Sequence, residues 1–232
     1  MTVSVAMATY NGVAYIQKQI HSVLSQLNAE DELVVSDDGS TDGTREWLQA
    51  LAARDTRVRV LDGPKQGVIR NFETAVAACR GEWIFLADQD DEWMPDKRQA
   101  VLDCATETGA VLVMHDACVV DSKDAVLHES FFALRGSRTG LFKNLWKNSY
   151  IGCCIAFSRQ LLPHILPFPE GIPMHDQWIG LQAERYGGAV LLEKPLLRYC
   201  RHGDNATAMT HGTVREMIGS RLRMIRALLR KG

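Results

Sequence analysis

The stretch Trp83-Ile84-Phe85-Leu86-Ala87-Asp88-Gln89-Asp90-Asp91 decides the fold. Its five apolar residues are too few for a helix and lie between Gly81 and a run of acids. They read as a strand buried on both faces, as in a parallel sheet covered by helices. Three carboxylates follow where the strand ends, and in an open α/β sheet ligands collect at the carboxyl ends of the strands.

Outward from this stretch the same alternation recurs. Thr2 to Ala8 reads as a buried strand, followed by Asn11-Gly12 and an amphipathic helix with Ile16, Ile20, Leu24 and Leu27 at helical spacing. Glu32 to Ser36 is a second strand, and Ser40-Thr41-Asp42 is an N-cap cluster for a helix to about Ala53. Arg57 to Leu61 is a third strand; Gly67 opens a helix carrying Ile69, Phe72, Val76 and Cys79 inward, and Gly81 stops it. These βα units predict a doubly wound α/β sheet. Beyond them come a helix from Pro95 to about Thr106, a strand from Val111 to Val120 and a turn at Asp121 to Asp124. A strand from Cys153 to Phe157 precedes a loop punctuated by Pro163, Pro167, Pro169 and Pro173. A helix then runs from near His175 to Gly187-Gly188, and Val190 to Leu192 and Leu196 to Cys200 are short strands. No internal repeat or long linker interrupts the chain, so one domain over residues 1–232 is expected.

Composition narrows the function classes. With 46% hydrophobic and 23% charged residues in 232, the chain is an ordinary globular protein. Twenty-six Lys and Arg against 28 Asp and Glu give a net charge of -2, which supplies no global field for nucleic acid. The six cysteines include no C-x-x-C pair and read as reduced core thiols. No basic n-region leads an apolar stretch at the N-terminus and no apolar run approaches roughly 18 residues, so a cytoplasmic location is expected. A dinucleotide oxidoreductase would need G-x-G-x-x-G after the first strand, where Gly12 stands alone, and there is no P-loop.

The strand ends carry the chemistry. Asp88-Gln89-Asp90 offers hard oxygen donors that suit Mg2+ or Mn2+ bridging to phosphate, although D-x-D alone also reads as a solvated acidic turn. In Asp37-Asp38-Gly39-Ser40, Gly39 permits a tight turn and Ser40 or Thr41 caps the helix. The two leading carboxylates exceed what a cap needs, and one of them facing a ligand would accept from a donor such as the imide N–H of uracil or thymine.

Taken together, Ala8-Thr9-Tyr10-Asn11-Gly12, Asp37-Asp38-Gly39-Ser40, Gly67 with Arg70-Asn71, and Asp88-Gln89-Asp90-Asp91 resemble a family 2 glycosyltransferase in order and spacing. His175-Asp176-Gln177-Trp178 and Arg201-His202-Gly203-Asp204-Asn205 extend the resemblance to about residue 207, in the manner of the bacterial rhamnosyltransferase-like branch. The resemblance implies the GT-A fold: a Rossmann-like three-layer α/β sandwich with a mostly parallel central sheet and a smaller acceptor-side sheet. Residues 1–120 would be the nucleotide-sugar half, 121–213 the acceptor and catalytic half, and 214–232 a basic amphipathic helix.

The implied reaction is inverting, metal-dependent transfer of a sugar from a UDP- or dTDP-linked donor, with rhamnose among the candidates. The acceptor would be a hydroxyl of a glycan or lipid-linked molecule in surface polysaccharide biosynthesis. By resemblance Thr9, Tyr10 and Asn11 line the nucleoside pocket, Asp37 and Asp38 meet base and ribose, and Arg70 faces the donor. Asp88 contacts ribose or metal, Asp90 ligates the metal directly and His202 completes its shell; Mn2+ or Mg2+ would neutralise the leaving diphosphate. Asp176 matches the family's catalytic carboxylate, the base that deprotonates the acceptor, with a plain helix cap as the alternative. A helix N-terminus there would help keep it ionised. Many relatives carry an acidic pair where this chain has His175 before Asp176, which makes His175 a neighbour on the acceptor side. Trp178 is either an apolar platform for an acceptor sugar or core.

Two rivals fit less well. A haloacid-dehalogenase-like phosphotransferase built on Asp88 and Asp90 wants Thr or Val two residues after the second Asp, where Glu92 stands. A degenerate sugar-nucleotide-binding protein would have lost one of Asp88, Asp90, Asp176 and His202, and all four are present. From Val214 onward, Ile218, Leu222, Ile225 and Leu229 share a helical face with Arg215, Arg223, Arg226 and Arg230 beside it. Such a helix lies on an anionic membrane or, since Arg221 interrupts the apolar arc, packs on the domain or on a second subunit as a homodimer. Residues 214–232 hold six Lys or Arg and one acid, leaving a net of -7 elsewhere. An acidic site of that kind meets an anionic donor with a cation between them.

Overall fold

The computed structural model describes residues 1–201 and 214–231. In chain order its elements are β1 (Val3–Thr9), α1 (Ile16–Leu24), β2 (Glu32–Asp37), α2 (Thr44–Ala52), β3 (Val58–Asp62), α3 (Val68–Ala78) and β4 (Trp83–Ala87). Then follow β5 (Glu92–Trp93), α4 (Lys97–Thr108), β6 (Leu112–Asp121), β7 (Val126–His128), α5 (Phe131–Arg135), α6 (Leu141–Trp146) and β8 (Ile155–Ser158). The chain closes with α7 (Leu162–Ile165), α8 (His175–Tyr186), β9 (Ala189–Arg201) and α9 (Val214–Arg230).

The strands form one sheet in the order β3-β2-β1-β4-β8-β6-β9-β5, with β7 paired to β6. The β3-β2-β1-β4 half is wholly parallel, as the βα alternation requires. Every residue of β1 and β4 is buried because helices cover both faces. Ile16, Ile20 and Val23 of α1 and Phe72, Ala75 and Val76 of α3 supply the covering apolar stripes. β8 runs antiparallel between β4 and β6 and joins the two halves. β5 extends the sheet antiparallel to β9, and β7 pairs antiparallel with the end of β6.

Sequence and structure part in three places. The two short strands expected after residue 189 are one thirteen-residue strand, β9. Exposed Glu193-Lys194-Pro195 breaks the apolar pattern, but a register shift opposite His115 and Asp116 takes up Pro195 without ending the pairing. α2 starts at Thr44, later than the Ser40 cluster suggests, because Ser40 is drawn into the turn by Asp37 while Asp42 accepts from the Thr44 amide at 3.0 Å. α5 and α6, of five and six residues, are too short to show a helical period in sequence.

α9 packs on the domain, though not through the face that looked apolar in sequence. Met224, Ala227 and Leu228 are buried, while Ile218, Leu222 and Leu229 point to solvent. Arg185 donates to the Leu228 carbonyl at 2.9 Å, and Lys231 donates to the carbonyls of Leu166 and Pro167. Cys79, Cys104, Cys118, Cys153 and Cys154 are free thiols. Among the described residues no helix is long and apolar enough to cross a membrane.

One buried ion pair holds the start of the sheet. Asp31, 3% exposed, accepts from the amides of Val3 and Asn28, each at 2.8 Å, and from Arg98 Nε at 2.8 Å. It thereby ties β1, the loop before β2, and α4. Asp31→Ala leaves the Arg98 guanidinium and two amides without their acceptor, and is expected to cost roughly 3–5 kcal/mol in urea unfolding.

Candidate active site

A cavity of about 620 Å³ opens at the C-terminal ends of β1, β2 and β4. Its size falls within the range of roughly 300–1,000 Å³ typical of small-molecule sites. Thr9 and Tyr10 from β1 and its loop, Asp38 after β2, Asp88, Gln89 and Asp90 after β4, and His175 and Asp176 opening α8 all face it.

Hydrogen bonds between loops build the floor. Thr9 Oγ1 donates to Gln89 Oε1 at 2.5 Å, the Tyr10 amide donates to the same oxygen at 3.0 Å, and Gln89 Nε2 returns a bond to the Tyr10 carbonyl at 3.2 Å. A Cβ at Gly12 would lie 2.3 Å from Gln89 Oε1, so a side chain there would displace this amide from its bonds to Thr9 and Tyr10. Asn71, 2% exposed, donates to the carbonyls of Thr9 and Ser36 and pins the ends of β1 and β2 together. Asp38 accepts from the Lys65 amide at 2.7 Å and the Gly67 amide at 2.9 Å, which orders the loop into α3 beside the cavity.

The acids crowd one another. Burial first, then the charges of Asp90 and Asp176, push the Asp88 carboxyl up to about 7. Burial, then Asp88 and Asp90, raises Asp91 well above the usual carboxylate range. Asp91 Oδ1 accepts from the Cys200 amide at 3.1 Å, while its buried Oδ2 has no hydrogen-bond partner among the described residues. Ligand atoms of Asp88, Asp91 and Cys153 lie within 4.8 Å of one another. Burial holds the Cys153 thiol protonated, so the oxygens are the hard donors there. An orphaned carboxylate oxygen, three mutually repelling acids and an all-oxygen donor set fit a divalent cation of the Mg2+ or Mn2+ kind. Beneath them Lys97, 1% exposed, donates to the Cys153 carbonyl at 2.9 Å and lies 4.4 Å from the centre of the Trp93 ring. Burial lowers it to about 8.

Across the cavity Asp176 opens α8. It accepts from the Gln177 amide at 2.5 Å and from Asn148 Nδ2 at 3.4 Å, and burial pushes it up to about 6. His175 stacks on Phe72 at 4.2 Å between ring centroids, and burial lowers it to about 3, so its imidazole is neutral.

The structure thus brings Thr9, Tyr10, Asp38, Asp88, Asp90, His175 and Asp176 to one cavity. Four sequence-based assignments need correction. Asn11 accepts from the Thr41 amide and its own amide donates to Ser40, so it stitches two loops instead of lining the pocket. Asp37 is buried, accepts from Ser40 and faces Arg45 at 3.6 Å; it builds the turn that presents Asp38. Arg70 is engaged by Glu73 and by the Phe168 carbonyl, away from the cavity wall. Trp178 is fully buried with its indole N–H on the Ile165 carbonyl at 2.9 Å, so it is core and offers no platform. His202 lies outside the described residues. Gln89 and Asn71 stand inside the motifs Asp88-Gln89-Asp90 and Arg70-Asn71 but have no ligand role in the sequence reading; Lys97 lies just after the acidic run, and Asn148 carries no sequence signal.

The sequence profile described as Glycosyl transferase family 2 matches residues 4–166. Escherichia coli WfgD, described as a UDP-Glc:alpha-D-GlcNAc-diphosphoundecaprenol beta-1,3-glucosyltransferase, is 30% identical over 169 residues, covering 72% of this chain and 64% of WfgD. Residues 1–349 of S. aureus TarS, solved with UDP-GlcNAc, superpose with a TM-score of 0.74 at 17% identity over 100% of this chain and 66% of that one. The mannosyltransferase PcManGT from Pyrobaculum calidifontis, solved with GDP-Man and Mn2+, gives a TM-score of 0.64 at 20% identity over 99% and 62%. Several curated relatives are matched over only 41% to 64% of their own length. At these identities the structural matches establish a shared fold, and the ligands named belong to those proteins.

Proposed function

Because this chain belongs to glycosyl transferase family 2 and has the GT-A fold, we propose that it moves a sugar from a nucleoside diphosphate donor to an acceptor hydroxyl, with inversion, in bacterial surface polysaccharide biosynthesis. The observation that carries this reading is the convergence of Asp38, Asp88, Asp90 and Asp176 on one cavity at the strand ends. UDP- or dTDP-linked donors, rhamnose included, suit a pocket whose Asp38 carboxylate accepts from base or ribose. Thr9 and Tyr10 form the adjoining wall, and Asp88 reaches ribose or a cation.

Asp88, Asp90 and Asp91 would hold Mn2+ or Mg2+, which supplies charge neutralisation to the leaving diphosphate. Asp176 stands across the cavity from them and takes the acceptor proton as the hydroxyl attacks the anomeric carbon. One base and no protein nucleophile is the arrangement of a single inverting displacement. Neutral His175 beside it offers a hydrogen bond to the acceptor without competing for the base role. A glycan or a lipid-linked saccharide is the acceptor class, and the cytoplasm the compartment, that fit such a donor.

The test is a panel of UDP- and dTDP-sugars, with dTDP-rhamnose among them, offered with Mn2+ or Mg2+. Calorimetric binding and slow metal-dependent hydrolysis of at least one donor are expected. Absence of both across the panel overturns the proposal.

A further inference from the structure

α9 carries two apolar faces. Met224, Ala227 and Leu228 meet the domain, while Ile218, Leu222, Ile225 and Leu229 form a second stripe roughly 130° round the helix. Ile218, Leu222 and Leu229 are 50%, 47% and 77% exposed. α6 extends that stripe with Phe142, 84% exposed, and Trp146, 71% exposed. Arg221 joins the helices: its Nε donates to the Trp146 carbonyl at 2.9 Å and its guanidinium lies 4.2 Å from the Trp146 ring centre. Single exposed apolar residues need no explanation. Five large ones on two touching helices mark a surface that something covers.

Charge selects what covers it. Residues 131–147 contain Arg135, Arg138, Lys143 and Lys147 and no acid, and residues 217–231 contain Arg221, Arg223, Arg226, Arg230 and Lys231 and no acid. These two segments thus carry nine cations in a chain whose net charge is -2; Arg223 and Lys231 are turned onto the Gly171, Leu166 and Pro167 carbonyls, and Arg226 and Arg230 flank the exposed stripe on the helix. A second copy docked face to face would set these cations against their own kind. A bilayer with anionic headgroups satisfies both features at once, taking the apolar side chains into the headgroup–acyl boundary and the guanidinium groups onto phosphates.

We propose that the face formed by α6 and α9 docks on an anionic lipid bilayer, with Phe142, Trp146, Ile218, Leu222 and Leu229 as anchors. The chain leaves α6 directly for Asn148, whose amide reaches Asp176, so the docked face adjoins the Asp176 side of the cavity. The proposal stands apart from the transferase reading, because vesicle binding reads the surface alone.

The test uses the full chain in co-sedimentation with phosphatidylglycerol–phosphatidylcholine vesicles and with pure phosphatidylcholine vesicles. Wild type is expected to bind the first much more strongly, with binding that weakens as salt rises. F142S/L229S, at two positions that do not line the cavity, is expected to bind roughly tenfold or more weakly with an unchanged melting temperature and unchanged donor hydrolysis. R226E/R230E is expected to lose the preference for phosphatidylglycerol. The proposal is overturned if wild type ignores phosphatidylglycerol vesicles, if F142S/L229S binds as well as wild type, or if the wild type sediments as a dimer that F142S/L229S dissolves into monomers.

Discussion

Asp176→Asn is expected to lower transfer about a thousandfold, the usual scale for losing a positioned general base, while making the protein more stable at neutral pH. The two effects come from one fact: burial raises the Asp176 carboxyl from its ordinary 3.8 to about 6. A base poised there is ionised at pH 7 yet still basic enough to draw a proton from an attacking hydroxyl. The stability sign follows from linkage. A carboxyl whose folded pKa is raised binds its proton more tightly in the folded state, so folding is favoured below about pH 3.8 and that advantage is lost as pH rises to about 6. Above that, the ionised group costs on the order of 1–3 kcal/mol, which Asn removes in part. Thermal unfolding at pH 7.5 and at pH 4 measures it: the melting temperature of Asp176→Asn should exceed that of wild type at the higher pH and match it at the lower. Donor binding should remain, and the wild-type rate should fall as pH drops through about 6. Full turnover by the variant removes Asp176 as base.

The same physics explains how much of this site was legible in sequence. β1 and β4 are continuous apolar runs that fit only a sheet covered on both sides, so their ends, and with them Thr9, Tyr10, Asp88 and Asp90, could be placed without coordinates. Asp176 could be placed because it follows a proline-rich loop and opens a helix. What the sequence cannot tell is how a polar side chain at a strand end divides its bonds between ligand and neighbouring loop. Asp37 and Asp38 are adjacent and chemically identical, yet Asp37 closes the turn with Ser40 while Asp38, just past the end of β2, holds the Lys65 and Gly67 amides at the cavity wall. Asn11 is likewise taken up by Thr41, thirty residues away, which no single-chain pattern favours, whereas the Arg70–Glu73 pair at i,i+3 on α3 was open to a reading of helical spacing. Trp178 and Trp146 show the limit for aromatics. Both sit in short helical contexts where six to twelve residues define a face poorly, and packing buries the first completely and leaves the second on the surface.

Asp90→Asn is expected to abolish metal-dependent donor binding and to reduce turnover by about a thousandfold or more, since positioning and charge neutralisation of the diphosphate fail together. Without a cation, Asp88, Asp90 and Asp91 repel one another in a buried pocket, and Asp88 is held at about 7 by burial, then Asp90, then Asp176. Two opposite outcomes follow for stability. In chelator, removing the Asp90 charge relieves that repulsion, so the variant should melt higher than wild type at pH 7.5. In Mn2+ or Mg2+ at about a hundredfold excess over the dissociation constant, the wild type should gain about 2.7 kcal/mol and the variant little, which reverses their order. Because the ligands bind metal as carboxylates, the wild-type gain should shrink as pH falls below about 7 and Asp88 takes up its proton. A structural acidic turn exposed to solvent would show neither the crossing nor its pH dependence. Wild-type melting indifferent to both metals, with turnover untouched by chelator, would therefore place the cation elsewhere or remove it from the chemistry altogether.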